Sequence, residues 1–182
     1  MIFLLYWGIS ALFVKKSVEK RKFGKFWLLR AILILVVLYF IFSNGLASQL
    51  NYILIGKLSF LANIGWQIAG NILAVLGLAG ALWARITIGR NWSGYVTYKK
   101  NHELVTDGPY RYIRHPIYTS VLLMMLGTFL YYGTYFILAM FIMMMITFLL
   151  RTKREEKIMI RLFGKKYENY MKKSKSMIPY VW

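Results

Sequence analysis

The stretch IYTSVLLMMLGTFLYYGTYFILAMFIMMMITFLL, residues 117–150, contains no Asp, Glu, Lys or Arg and is interrupted only by Tyr-Tyr-Gly-Thr at 131–134. Each half is long enough for a helix and too uniformly apolar for the surface of a soluble protein. Tyrosines are enriched where helices meet the membrane–water interface. We therefore predict a C-terminal helical hairpin, residues 117–130 and 135–150, with a tight turn that returns the chain to the side where it began.

Further apolar runs occur at residues 2–14, 26–42 and 65–88. The chain of 182 residues is 59% hydrophobic and has a mean hydropathy of +0.51, which exceeds what a soluble domain of this size can cover with polar groups. A membrane-spanning helix needs roughly 20 residues, and the first run is shorter than that. It also lacks the flanking signals of a signal peptide. We expect an all-α integral membrane protein with about five transmembrane helices.

The basic residues follow the predicted spans. The chain has 24 Lys and Arg but only 6 Asp and Glu, and all of the basic residues except Lys57 fall in residues 15–30, 85–116 and 151–175. These are alternate connections, so the positive-inside rule places them in the cytoplasm, with the N-terminus outside and the C-terminus cytoplasmic. Anionic lipid headgroups explain the net charge of +18, and we expect no nucleic acid partner. The short connections suggest a prokaryotic plasma membrane.

Composition also limits the chemistry. The chain has no cysteine and only two histidines, His102 and His115, so disulfides, thiolate chemistry and a zinc site are not expected. The spans lack the charged residues near their midpoints that ion-coupled transporters use. No phosphate-binding glycine motif or strand–helix alternation is present. We treat residues 1–182 as a single domain, with N-terminal spans in 1–64 and a catalytic core in 65–182.

One polar segment, DGPYRYIRHPIY at residues 107–118, leads into the hairpin. Residues 107–109 form a turn signal, and Pro116 suits the first position of a helix. Arg114, His115 and Tyr118 would then crowd around a helix N-terminus, whose free N–H groups favour an anion. The alternative is that these side chains only anchor the helix end at the membrane interface.

A second polar segment, RTKREEK at residues 151–157, follows the hairpin directly. If the helix continues, Arg151 and Glu155 share one face at i and i+4. A carboxylate of Glu155 or Glu156 could bind the ammonium or ribose hydroxyls of a cofactor. The alternative is a solvated helix whose ion pairs contribute about 0.3–0.5 kcal/mol each. Further on, we predict a helix break at Gly164, an amphipathic surface helix, and an aromatic membrane anchor at residues 177–182.

Four motifs together resemble one family. They are Gly108-Pro109-Tyr110, Arg114-His115-Pro116-Ile117-Tyr118, Glu155-Glu156 and Phe163-Gly164-x-x-Tyr167-x-x-Tyr170. Their order and spacing are similar to those of the isoprenylcysteine carboxyl methyltransferases, and related membrane phospholipid methyltransferases share the second and third. The resemblance covers roughly residues 85–179. It implies methyl transfer from S-adenosylmethionine to a membrane-borne acceptor, with the cytoplasmic loop and tail forming the cofactor site.

The resemblance also implies roles for individual residues. Arg151 matches the arginine that meets the substrate carboxylate, and we predict it as the catalytic and substrate-binding residue. One departure is Ser120, where the family commonly has glycine, but serine is small enough for close helix packing to survive. The positions that match cofactor contacts, or that lie beside them in the same motifs, are His102, Glu103, Leu104, Val105, Tyr110, Arg114, His115, Pro116, Ile117, Tyr118, Glu155 and Glu156.

The methyl acceptor most consistent with the resemblance is the carboxylate of a prenylated cysteine or of another isoprenoid or lipid, entering from the bilayer. A carboxylate needs no general base, whereas an amine or thiol would need one, for which Glu156, Tyr118 or a histidine are candidates. We expect a monomer. Two other functions stay open: an NADPH-dependent sterol or steroid reductase, whose 2′-phosphate would bind the basic tail, and a non-enzymatic lipid-binding membrane scaffold.

Overall fold

The computed structural model describes residues 56–92 and 103–177. Over these ranges the chain is helical, with two isolated β-bridges and no strand. The predicted helices at residues 2–14 and 26–42, and most of the predicted anchor at 177–182, lie outside the described residues. The count of five transmembrane helices therefore stays a prediction. The main helices are α1 (Ile64–Ile88), α2 (Pro116–Tyr132), α3 (Tyr135–Phe163) and α4 (Lys165–Lys173), with short 3-10 turns at Ser59–Leu61, Gly89–Asn91 and Gly108–Arg111.

Two of these helices, α1 and α3, are long and apolar enough to cross a membrane. Their large apolar side chains are mostly exposed: Val75 in α1 is 64% exposed and Leu150 in α3 is 53% exposed. The buried positions of α1 instead hold glycine, alanine and one arginine. This distribution is the reverse of that in a soluble protein and suits helices whose outer faces contact lipid. The helices predicted from the apolar runs at 65–88 and 135–150 are confirmed.

The hairpin turn between α2 and α3 is shorter than predicted. Tyr131 and Tyr132 belong to α2, and the turn consists of Gly133, in the left-handed region at φ 65°, and Thr134. The Gly133 amide donates to the carbonyl of Phe129 at 2.7 Å, which closes the last turn of α2. Thr134 then caps α3 by accepting a hydrogen bond from the Ile137 amide at 3.4 Å. The chain reverses within two residues, so α2 and α3 are antiparallel neighbours.

Glycines allow α1 and α2 to pack with their backbones close together. A Cβ atom on Gly70 would lie 2.5 Å from the carbonyl oxygen of Gly127, and one on Gly77 would lie 2.7 Å from the carbonyl oxygen of Ser120. Such contacts between small residues are typical of helix pairs in membranes. Ser120 is buried with its Oγ facing Gly80, so close packing persists at this position as expected.

The polar segments follow the predicted pattern. Pro116 is the first residue of α2, and α3 continues through the RTKREEK segment without interruption. Gly164, at φ 51°, ends α3 and its amide donates to the carbonyl of Ile160 at 2.8 Å. The short helix α4 follows, so the predicted break and second helix are both confirmed.

A C-terminal strap, residues 174–177, pairs with the loop before α2. The amides of Arg114 and His115 donate to the carbonyls of Lys175 at 2.8 Å and Ser176 at 3.0 Å. In return, the Lys175 amide donates to the carbonyl of Tyr112 at 3.0 Å. The strap therefore fixes the Arg114-His115 segment at the N-terminus of α2, where several candidate residues lie.

Candidate active site

The Glu155 carboxylate on α3 joins the side chains of the two helices of the hairpin. Its Oε1 atom accepts hydrogen bonds from the Tyr118 hydroxyl at 2.7 Å and from Arg151 Nε at 2.9 Å. His115 Nδ1 lies 3.6 Å from the other oxygen, Oε2. The i, i+4 pairing of Arg151 with Glu155 is confirmed. Tyr118, Arg151 and Glu155 all extend from helices and not from loops, which gives the cluster a rigid support.

The neighbouring Glu156 carboxylate contacts a different set of groups. Its Oε1 atom accepts hydrogen bonds from Arg114 Nε at 2.8 Å and Ser176 Oγ at 3.2 Å, and lies 3.3 Å from His115 Nε2. Arg114 also donates to the carbonyls of Met171, at 3.3 Å, and Ser174. Glu156 therefore connects α3 to the loop before α2 and to the strap, while Arg114 adds contacts to the end of α4.

Aromatic contacts orient Tyr118 at the end of the apolar part of the hairpin. Its ring stacks on Phe148 with centroids 4.4 Å apart and on His115 with centroids 5.5 Å apart. The Arg151 guanidinium lies 5.5 Å from the Tyr118 centroid, within the range of a cation–π contact. These contacts hold the Tyr118 hydroxyl against the Glu155 carboxylate and place Arg151 beside the same ring.

A cavity of about 130 Å³ opens between the end of α1, residues 103–105, the start of α2 and the polar end of α3. Its wall combines apolar side chains with two carboxylates, an arginine and a histidine. Of the predicted cofactor residues, the wall includes Glu103, Leu104, Val105, Tyr110, Arg114, His115, Ile117, Tyr118 and Glu155.

Some of the predicted site residues do not line this wall. Pro116 starts α2 behind it, and the Glu156 carboxylate is directed to Arg114 and Ser176. Arg151 lies next to the wall through its contact with Glu155. His102 lies outside the described residues. Contact of His102, Pro116 and Arg151 with a cofactor or substrate stays a prediction. The same holds for Glu156, although its contacts with Arg114 and Ser176 favour a structural role.

Six wall residues had no predicted role in the site. Met159 is one helical turn after Glu155 and could have been found from that spacing. Tyr167 and Tyr170 belong to a motif that was noted but given no contact. The remaining three lie at the end of α1, far along the chain from every motif, and no sequence signal marks them: Ile88, Asn91 and Trp92.

The end of α1 is organised by a buried arginine. Arg85 is only 2% exposed, and its NH1 group donates to the carbonyl of Gly89 at 2.8 Å. Its guanidinium also lies 4.8 Å from the Trp92 ring centroid, a cation–π distance. These contacts fix the 3-10 turn at Gly89–Asn91 and with it one side of the cavity.

Three tyrosines that line the cavity, Tyr110, Tyr167 and Tyr170, are neutral at physiological pH. Burial raises the pKa of Tyr170 to about 12, although hydrogen bonding with Ser174 and the charge of Arg114 oppose the change. Burial likewise holds the pKa values of Tyr110 and Tyr167 well above the ordinary value of 10. The Tyr170 hydroxyl donates to the Tyr110 carbonyl at 2.6 Å. These tyrosines thus act as hydrogen-bonding and packing groups, not as bases near neutral pH.

Comparisons with known proteins agree with these features. The family model described as phospholipid methyltransferase matches residues 66–166. The chain is 37% identical over 101 residues to the protein-S-isoprenylcysteine O-methyltransferase of Schizosaccharomyces pombe, covering 54% of this chain and 43% of that protein. It is 29% identical over 115 residues to a probable protein-S-isoprenylcysteine O-methyltransferase of Oryza sativa subsp. indica, covering 62% and 60%.

A solved structure is also similar. The eukaryotic intramembrane Ras methyltransferase ICMT, an isoprenylcysteine carboxyl methyltransferase, superposes with a TM-score of 0.57 and 26% sequence identity. The match covers 63% of this chain and 42% of that one. This chain thus spans between 42% and 60% of the length of these relatives. The residues matched by the family model, 66–166, include the hairpin and the polar segments at 107–118 and 151–157.

Proposed function

Because the chain belongs to the phospholipid methyltransferase family, we propose that it is a membrane methyltransferase that uses S-adenosylmethionine. The proposed acceptor is the carboxylate of a prenylated cysteine, or of another isoprenoid or lipid, and the product is its methyl ester. The observation that carries the proposal is the Glu155 carboxylate, which is fixed by Tyr118 and Arg151 at the wall of the cavity.

The proposal includes a location in the membrane. The exposed apolar faces of α1 and α3 support it, as does the intramembrane relative of similar fold. The basic segments and the cavity would face the cytoplasm, where a water-soluble methyl donor is available, and the N-terminus would lie outside. An apolar acceptor would reach the same place from the bilayer. We propose a prokaryotic plasma membrane and a monomeric enzyme.

The chemical types of the side chains around the cavity suit the parts of S-adenosylmethionine. Apolar side chains such as Leu104, Val105 and Ile117 suit an adenine ring, while the Glu155 carboxylate suits an ammonium or ribose hydroxyls. Arg114 and His115 on the same wall suit a carboxylate. Bound there, the donor would supply an electrophilic methyl group on a positively charged sulfur. The family relatives that transfer methyl groups favour this ligand over NADPH and over a scaffold without a cofactor.

Arg151 is the proposed acceptor-binding residue. It lies at the point where the apolar part of α3 ends, and a guanidinium can hold a carboxylate through two parallel hydrogen bonds. Its cation–π contact with Tyr118 and its hydrogen bond to Glu155 limit its rotation. An acceptor carboxylate held at Arg151 would lie near the cavity wall. Lipid access and cofactor access would meet at this residue.

The chain's main tasks in this reaction are alignment and exclusion of water. An ionised carboxylate is already a nucleophile, so no residue needs to remove a proton from it. Arg151 would hold the acceptor carboxylate, and the bound donor would supply the methyl group, so that the products would be a methyl ester and a neutral thioether. Holding both reactants in line contributes most of the rate increase available to such a site.

The proposal is tested with purified protein in lipid vesicles, S-adenosylmethionine carrying a tritiated methyl group, and three acceptors. These are N-acetyl-S-farnesylcysteine, the same compound with its carboxylate converted to an amide, and phosphatidylethanolamine. We expect base-labile methyl ester to form only with the first. Methyl transfer to the amine headgroup alone would refute the carboxylate acceptor, and no transfer to any of the three compounds would refute a prenylated cysteine as the acceptor. Arg151→Ala should form no ester above background.

A further inference from the structure

Asn91 is a buried polar residue whose side-chain oxygen has no hydrogen-bond partner among the described residues. It ends the 3-10 turn after α1, is 7% exposed, and lines the cavity. Its Oδ1 atom is fully buried, and among the described residues no group donates a hydrogen bond to it. The proposed function assigns no role to this residue.

A buried amide oxygen that accepts no hydrogen bond lowers the stability of the folded protein. Most buried polar side-chain atoms in folded proteins are hydrogen-bonded, and leaving one without a partner destabilises the fold. The fold has placed this residue on the cavity wall, at the end of a turn that Arg85 anchors through the Gly89 carbonyl. A ligand that donates a hydrogen bond within the cavity would remove the cost.

We propose that Asn91 recognises the adenine ring of the methyl donor by accepting a hydrogen bond from its exocyclic amino group. This inference rests on the proposed function. An asparagine amide carries an acceptor and a donor side by side, and adenine presents an amino donor next to a ring-nitrogen acceptor, which an amide matches with two hydrogen bonds. Asn91 is therefore a specificity residue for the base.

The chemistry of the cavity favours adenine over the other donors on the ligand. An ammonium group binds carboxylates more strongly than neutral amides, and Glu155 and Glu103 supply carboxylates on the same wall. The neutral amide of Asn91 instead adjoins a wall that includes Ile88 and Leu104. A flat, uncharged base is the part of the donor that suits such surroundings.

The test measures the dissociation constants of S-adenosylhomocysteine and of its analogue in which the 6-amino group is replaced by hydrogen. Calorimetry is carried out on the full chain in detergent, as wild type and as Asn91→Leu. We expect wild type to bind the amino compound about tenfold more tightly than the analogue, as loss of one buried hydrogen bond predicts, and Asn91→Leu to bind the two about equally. Thr152→Val, which changes another buried polar residue outside the cavity wall, should keep the wild-type preference.

The outcomes separate this inference from the proposed function. If wild type binds both compounds with equal affinity, or if Asn91→Leu retains the preference, the role of Asn91 is refuted while adenosyl binding stands. If wild type binds neither compound but binds NADPH, both the inference and the proposed function fall. The wild-type comparison needs no variant, and Asn91→Ala provides a second substitution if Asn91→Leu does not fold.

Discussion

We expect Glu156→Gln to destabilise the protein while leaving its affinity for S-adenosylhomocysteine close to that of wild type. One oxygen of Glu156 is shared by Arg114, His115 and Ser176. These groups belong to the loop before α2 and to the strap, and of the three only His115 also lies near Glu155, with its Nδ1 atom 3.6 Å from Oε2. The substitution keeps the size of the side chain and one acceptor oxygen, so it removes mainly the negative charge.

The magnitude follows from the Arg114 contact. Hydrogen bonds to charged groups contribute about 1.5–3 kcal/mol, compared with about 0.5–1.5 kcal/mol for neutral ones. The two side chains are only 9% and 15% exposed, so solvent screens the pair weakly. Arg114 keeps its two backbone acceptors on Met171 and Ser174, and the loss therefore stays below the roughly 3–5 kcal/mol of a stranded buried charge. We expect about 2 kcal/mol, or a Tm lower by about 4–8 °C.

The assay combines thermal unfolding by tryptophan fluorescence at one scan rate with calorimetric titration of S-adenosylhomocysteine. Glu168→Gln is the matched control, because Glu168 is exposed on α4 and should change stability by less than about 0.5 kcal/mol. A Glu156→Gln protein with a wild-type Tm and lost ligand affinity would refute this assignment. It would instead show that Glu156 contacts the cofactor directly.

Three further predictions concern other parts of the molecule. Arg151→Ala should bind S-adenosylhomocysteine within about fivefold of wild type and lose at least about 100-fold in turnover, as expected for a residue that positions the acceptor; calorimetry and the tritium assay measure the two effects. Gly70→Ala should lower the free energy of unfolding by about 1–3 kcal/mol, because its Cβ would meet the Gly127 carbonyl. Gly80→Ala should cost less, because it meets only the Ser120 hydroxyl, and equal Tm values would contradict the close packing. The contribution of buried Tyr170 to the free energy of unfolding should be complete below about pH 10 and should be lost toward pH 12, because this tyrosine ionises at a lower pH in the unfolded chain than in the folded protein. Tyr170→Phe should make this alkaline loss, followed by tyrosine absorbance, less steep.

The helical hairpin could be predicted from the sequence because its signals are local. An uncharged apolar run, interrupted once by a glycine-containing turn, is enough to define two antiparallel helices. The exact turn was less predictable, since Tyr131 and Tyr132 fit either an interface loop or the last turn of α2. The continuation of α3 through RTKREEK followed from strong helix formers and an i, i+4 ion pair.

The packing of α1 against α2 could not be predicted from the sequence. Small residues such as Gly70 and Gly77 indicate that a helix can be approached closely, but they do not identify the partner. The strap is a similar case, because a bridge of only a few residues at 174–177 has no hydrophobic period to mark it. Both contacts join residues that are far apart along the chain.

In the candidate site, too, local motifs could be predicted from the sequence, whereas contacts between distant segments could not. Glu155, Tyr118 and His115 were predicted from motifs, and the structure brings them together. Asn91 and Trp92 were missed because α1 reaches the cavity only through its packing on α2 and through the buried Arg85. The different contacts of Glu155 and Glu156 also needed coordinates, since adjacent helical residues point about 100° apart and their partners lie on other segments.

Titration of the detergent-purified protein with S-adenosylhomocysteine by calorimetry, with NADPH as the comparison, tests the central claim most directly. The account predicts saturable binding of the adenosyl compound at one site, strong loss of that binding in Glu155→Ala, and no binding of NADPH. Binding that Glu155→Ala leaves unchanged, or binding of NADPH alone, would contradict it.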